Sequence, residues 1–168
     1  MMKLKKYEHT IYASYIGYIT QAIVNNLAPL LFLVFRREFG LGLDQITLIT
    51  TVNFLVQLSV DLLAVKWVDR IGYRVSAVAA HFFAGAGLVG MALFPVVFPE
   101  PYTGLLLAVV CYAIGGGLIE VIISPIVEAC PTSKKEAAMS LLHSFYCWGH
   151  VGVVLLSTLF FTIWGTGS

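Results

Sequence analysis

The chain has 168 residues, of which 59% are hydrophobic and 11% charged, and its mean hydropathy is +0.89. A water-soluble domain is nearer about 45–50% apolar and 25% charged, so the composition excludes an ordinary soluble globule. The formal net charge of +1 says nothing about nucleic acid, but no basic cluster interleaved with aromatics is present, so no nucleic acid is expected as a partner, and the lipid bilayer is the expected surrounding.

In chain order, a short basic lead carrying Lys3, Lys5 and Lys6 precedes the first apolar run, at about residues 10–35. It is too long for a signal peptide, lacks a small-residue cleavage site, and is long enough to cross about 30 Å of hydrocarbon at 1.5 Å per residue. Arg36-Arg37-Glu38 closes it. Further runs follow at about 45–68, 75–98, 103–128 and 137–164. They are separated by Asp69-Arg70-Ile71-Gly72-Tyr73-Arg74, by Pro99-Glu100-Pro101, where prolines break the helical pattern, and by a polar linker at residues 129–136. The expected fold is an all-α membrane protein of five transmembrane helices. Cys111, Cys130 and Cys147 form no CxxC pair and read as small apolar fillers.

The cations settle the expected orientation. If the chain weaves regularly, Lys3, Lys5, Lys6, Lys66, Arg70, Arg74, Lys134 and Lys135 share one side, and Arg36 and Arg37 the other. Eight against two places the N-terminus in the cytoplasm of a plasma-membrane protein.

The spans are not uniformly apolar. Tyr18, Gln21 and Asn25 share one face of the first helix, and Asn53, Gln57 and Asp61 one face of the second. Glu120, Ser124 and Glu128 do so on the fourth, and His143, Tyr146 and His150 on the fifth. The third offers little beyond Ser76 and His81 and is expected to turn largely toward lipid. Glu120 lies near the middle of its run, where an ionisable group costs from about 3 kcal/mol and usually faces a bundle interior or a watery path. Two readings of these stripes stand. They line a path for a polar solute, or they are interhelical glue, each hydrogen bond worth about 0.6 kcal/mol on average. Asp61, toward the cytoplasmic end, then pairs with a neighbour, and Glu120 sits in a salt bridge or is held protonated against a carbonyl.

Other chemistries find little here. His143 and His150 are not at HxxxH spacing, and no ligand set for a metal can be read. No nucleophile elbow or oxyanion hole accompanies the serines and histidines, and no P-loop or GxGxxG is present, so neither an enzyme nor a cofactor is expected. Gly85-Ala86-Gly87 with Gly90, and Gly115-Gly116-Gly117, read as close helix contacts. The triplet also lets the fourth helix flex beside Glu120, and Pro29 and Pro125 are expected to kink the first and fourth helices.

Asp69-Arg70-Ile71-Gly72-Tyr73-Arg74 resembles the loop motif G-x-x-x-D-R-x-G-R-R of the major facilitator superfamily, with Asp69, Arg70, Gly72 and Arg74 matching and Val65 and Tyr73 departing. A carboxylate at a helix end can hold basic groups or a facing helix N-terminus and so latch one closed state, which makes these four residues a candidate gating motif. Within the superfamily, Asn25-Asn26-Leu27, Gly117-Leu118-Ile119-Glu120 through Ser124-Pro125, and Leu142-His143-Ser144-Phe145 with Gly149 resemble the sugar–proton symporters that include fucose permease. The resemblance implies a secondary transporter of a small polar, sugar-like solute, with Glu120 binding proton or sugar and Asn25, Asn26 and His143 lining the cavity; Gln21, on the polar face of the first helix, joins them as a candidate. Pro29 stands where that group has a helix-one aspartate, so Glu120 would act alone or with His143. Five spans match part of one six-helix half, with the solute held between halves. Residues 1–168 are therefore expected to be a partial N-terminal bundle whose partner helices lie elsewhere; the rival expectation is a non-transporting membrane scaffold or assembly subunit.

Overall fold

The computed structural model describes the backbone of residues 2–132 and 134–164 and the side chains of residues 7–64, 66–132 and 134–164. Five α-helices follow one another: α1 Met2–Phe39, α2 Leu43–Ile71, α3 Tyr73–Val97, α4 Pro101–Ala129 and α5 Lys135–Trp164. Each contains a stretch long and apolar enough to cross a membrane. The protein is an all-α membrane protein. Side chains of Lys3, Lys5, Lys6 and Val65, and the tail from Gly165, lie outside the described set, although the basic lead is already helical.

The helices run further than the apolar patterns suggest because their ends are built from local signals. Gly40, at φ +65°, ends α1 in a backbone conformation that suits glycine. The Gln45 side chain turns back to accept the Gly42 N–H at 3.0 Å, closing the N-terminus of α2. Pro101 opens α4 at its first turn, where no amide hydrogen is needed. The expected loop at residues 69–74 is the main correction: α2 continues to Ile71 and α3 begins at Tyr73, leaving Gly72 as the whole connection. Gly72 adopts φ 90° and ψ 146°, donates to Val68 O at 2.8 Å, and its carbonyl accepts from Ser76 N at 3.1 Å. A side chain is strained in that region, so a glycine allows one residue to reverse the chain. The helices also pass through Pro29, Pro95 and Pro125 without interruption.

α4 is the central element and touches each of the other four. Its longest seam is with antiparallel α3, where Ala80, Ala84 and Gly87 are buried. A Cβ on Gly87 would run into the Tyr112 backbone, and one on Gly115 into the backbone of Ala80 and Ala84. Such close approach supplies the dispersion contacts that hold helices together where lipid removes the hydrophobic drive. Gly85 departs from the expected close contact: nothing lies within 4 Å of its Cβ position. The opposite face of α3, with Val78, Phe82, Val89 and Val96, is exposed to the surroundings of the bundle. α3 thus turns one face outward and buries the other.

α1 packs along α5. Gly149 lets α5 approach the Ile19 backbone and the Ala22 methyl, each about 3.0 Å from a Cβ placed there, and Tyr15 stacks on Phe145 at 4.7 Å. Among the cysteines, Cys130 is buried just beyond α4 and burial pushes its thiol pKa up, whereas Cys147 is exposed on α5. All three cysteines are free.

Candidate functional site

Packing through small residues fixes the register of the polar stripes. α1 runs antiparallel to α4, with Val24 over Gly116 and Gly17 over Ile123. This register sets Gln21 beside Glu120 and Tyr18 beside Ser124. Gln21 Nε2 donates to Glu120 Oε2 at 3.2 Å, and the Tyr18 and Ser124 hydroxyls are 3.0 Å apart. α2 runs parallel to α4, with Tyr102 beside Gln45 and Val60 against Gly117. The Gln57 amide therefore reaches over Gly116, where a Cβ would lie 3.3 Å from its Nε2.

Gln57 ties three parts of the bundle together. Its Nε2 donates to Asn25 Oδ1 at 2.8 Å and to Asn53 Oδ1 at 3.2 Å. Asn25 Nδ2 in turn donates to the Tyr146 hydroxyl of α5 at 3.4 Å. Gln21, Asn53 and Gln57 are buried, which is tolerable for amides only because of such partners.

Beyond this network lies a polar cavity of about 300 Å³, lined by Tyr18, Gln21, Asn25, Glu120, His143 and Tyr146. It opens on the side made by α1, α4 and α5, and Glu120 and His143 are both exposed there. The rings of Tyr18 and His143 are 5.7 Å apart and those of Tyr18 and Tyr146 6.0 Å, so three aromatic groups flank one carboxyl and two carboxamides. The lining holds hydrogen-bond donors and acceptors in quantity but no Lys or Arg. It can grip hydroxyl groups or a cation, and it offers an anion no fixed counter-charge.

Of the residues singled out from the sequence, Gln21, Asn25, Glu120 and His143 come together at this cavity. Asn26 does not line it: its Nδ2 is turned along its own helix to Ala22 O at 2.7 Å. Tyr18 and Tyr146 are additions to the candidate set, and the signal for both was their place on the polar faces of α1 and α5. Glu128 and His150 are exposed further along their helices. Asp69, Arg70, Gly72 and Arg74 lie at the α2–α3 junction instead. Arg74 and Tyr73 face a separate groove with Thr10, Ser14, His81 and Ile123, between α1, α3 and α4. Among the described residues no three of His, Cys, Asp and Glu converge as a metal-binding group.

Compared with known families, residues 14–168 match the sequence model described as Major Facilitator Superfamily. No curated protein and no solved structure gives a match.

Proposed function

The chain belongs to the major facilitator superfamily, a family of transporters, and from that premise we propose that it carries a small, uncharged, polyhydroxylated solute such as a sugar, coupled to protons. The observation that carries the reading is the cavity itself: Glu120, Gln21 and Asn25 offer hydrogen bonds to hydroxyls, and Tyr18, Tyr146 and His143 offer ring faces and edges to the carbon skeleton. A carboxyl in a membrane helix that faces an open polar cavity is also placed to take up and release a proton.

Because the cavity opens to one side, the solute is enclosed between this face and a second set of helices, which further chain or a partner supplies. Alternating access is then the rocking of one set against the other about the solute. The cationic ends of α2 and α3 and the lead of α1 orient the N-terminus toward the cytoplasm of the plasma membrane. There Asp69, Arg70, Gly72 and Arg74 serve as the latch of one closed state.

Binding of tritiated neutral sugars and polyols to the detergent-purified protein, with the helices that close the cavity in place, tests the solute class. At least one should bind, and Glu120→Gln should weaken it tenfold or more at an unchanged melting temperature. If a well-folded protein binds none of the panel, the solute class is wrong. If Glu120→Gln prevents folding, the stripe is structural glue and the chain is a membrane scaffold.

A further inference from the structure

The hydrogen bonds of the cavity wall all run in one direction, and that direction starts at Glu120. Its carboxyl accepts from Gln21 Nε2 at 3.2 Å, which turns the carbonyl edge of that amide the other way. The Gln21 oxygen comes to lie over Gly116, 3.5 Å from where a Cβ would stand, and Gln57 Nε2 lies over the same glycine at 3.3 Å. The N–H edge of Gln57, not its oxygen, is thus the edge that suits the Gln21 carbonyl. Both hydrogens of this edge are spent, on Asn25 Oδ1 at 2.8 Å and Asn53 Oδ1 at 3.2 Å, and Gln21 Oε1 keeps no hydrogen-bond partner. Turned over, Gln57 would set its oxygen toward the Gln21 oxygen and would have to turn Asn25 and Asn53 with it.

The direction carries on to α5. Asn25 gives its oxygen to Gln57, and its Nδ2 donates to the Tyr146 hydroxyl at 3.4 Å. A phenol has one hydrogen to give and lone pairs to accept with, whereas an amide nitrogen only donates. The Tyr146 oxygen is therefore the acceptor of this bond, and its hydrogen points elsewhere. Among the described residues nothing else is bonded to that hydroxyl, and Tyr146 lines the cavity. Its hydrogen is offered to whatever fills the space. The Tyr18–Ser124 pair has no such fixed direction, since either hydroxyl can donate.

We propose that Tyr146 is a specificity-determining residue whose hydroxyl donates to an oxygen of the solute, and that Gln57, acting through Asn25, is the positioning residue that fixes this direction. The cavity then has two ends: Glu120 takes a hydrogen from the solute, and Tyr146 gives one. Gln21 and Asn25, which belong to the two ends, are one turn of α1 apart, about 6 Å along the axis. One sugar ring with its substituents can bridge that length. The solute selected carries a hydroxyl at one end and an oxygen acceptor at the other, such as a ring oxygen or a carbonyl. A group that only donates is refused at the Tyr146 end. This deepens the sugar-binding reading and rests on it for the solute; the direction rests on bonds within the protein.

Raman spectroscopy reads the direction with no solute present. The intensity ratio of the tyrosine ring doublet differs between a phenol that accepts a hydrogen bond and one that donates, and subtracting the spectrum of Tyr146→Phe isolates this residue. The unmodified protein should give the acceptor signature. Asn25→Asp, which sets a carboxylate oxygen in place of Nδ2, should turn it to the donor signature, and Gln57→Leu, which frees the Asn25 amide to turn, should mix the two. Binding of whichever tritiated sugar or polyol the complete protein retains reads the consequence. Tyr146→Phe should weaken it roughly two- to tenfold, the range of one neutral hydrogen bond, and no further in the Asn25→Asp background. At one position of that sugar, fluorine in place of hydroxyl should bind better than hydrogen in place of hydroxyl, because fluorine still accepts, and Tyr146→Phe should close the gap. A donor signature in the unmodified protein, a doublet unmoved by Gln57→Leu, an equal cost of Tyr146→Phe in both backgrounds, or the lack of any such sugar position overturns the inference. If no sugar or polyol binds while the signature is that of an acceptor, the solute class fails and the direction stands.

Discussion

The two sides of α4 are built on opposite principles. Toward α3 the contact is dry and made of backbone against backbone, with Gly87, Gly104 and Gly115 replacing side chains altogether. Toward α1, α2 and α5 the same helix presents Gly116, Gly117 and Glu120 to amides, hydroxyls and a cavity. The first side holds α3 and α4 as one body whose geometry leaves no room to adjust. The second is held by hydrogen bonds that can exchange partners. A transporter needs both, a rigid unit that rocks and a face that binds and lets go, and here one helix carries them back to back.

The largest effect should come from disturbing the rigid side. Gly115→Ala places a methyl group against the Ala84 backbone and the Ala80 carbonyl. Forced overpacking costs about 1–3 kcal/mol, and backbone on both sides puts this site at the upper end. Detergent-solubilised protein should melt well below the unmodified chain or fail to run as a single species. Gly85→Ala on the other face of α3 is the control. Nothing is near it, and replacing glycine within a helix gains up to about 1 kcal/mol. Equal damage from both substitutions would show that the seam is not where the rigidity lies.

On the exchanging side, Glu120→Gln removes a charged acceptor from the cavity while keeping its shape. Hydrogen bonds to charged groups are worth about 1.5–3 kcal/mol, or roughly ten- to a hundredfold in affinity. Sugar binding should fall by that factor, with melting nearly unchanged. A melting point that drops with binding intact would move Glu120 to the structural side of the comparison.

Gly72 links the two sides, since it alone joins α2 of the exchanging face to α3 of the rigid seam. Gly72→Ala has open space around it, so its cost is backbone strain at φ 90°, about 1–3 kcal/mol. Melting should fall by that amount. A neutral result would mean that the chain turns here in some other conformation.

What the sequence made legible divides along the same line. Apolar runs reveal spans because bilayer thickness dictates their length, and the polar stripes identify which face of each helix is wet. Periodicity carries no information on register between helices, so nothing in the stripes of α1, α2 and α4 pairs Gln21 with Glu120 or Asn25 with Gln57. Those pairings come from glycine contacts such as Gly116 on Val24 and Gly117 on Val60. Asn26 illustrates the converse: its neighbour Asn25 faces the cavity, and one step around the helix turns its amide to the Ala22 carbonyl instead. The α2–α3 connection was obscured because charged residues in a short segment read as a loop, whereas they lie in the end turns of two helices that meet at one glycine.

Gln57→Leu is the smallest change and discriminates most finely, because Gln57 is buried on the exchanging face yet does not line the cavity. Its two bonds, to Asn25 and Asn53, are interhelical or intrahelical glue by position. Bonds of this kind average about 0.6 kcal/mol in membrane helices, so the expected loss is about 1 kcal/mol. Asn25 would lose the partner that fixes its amide, while its bond to Tyr146 remains. The melting temperature should therefore drop by a few degrees and sugar affinity only severalfold, less than for Glu120→Gln. Measuring both on the same preparation places Gln57 between the two sides. A loss of affinity as large as that of Glu120→Gln, at full stability, would mean that the amide network and the cavity act as a single binding unit.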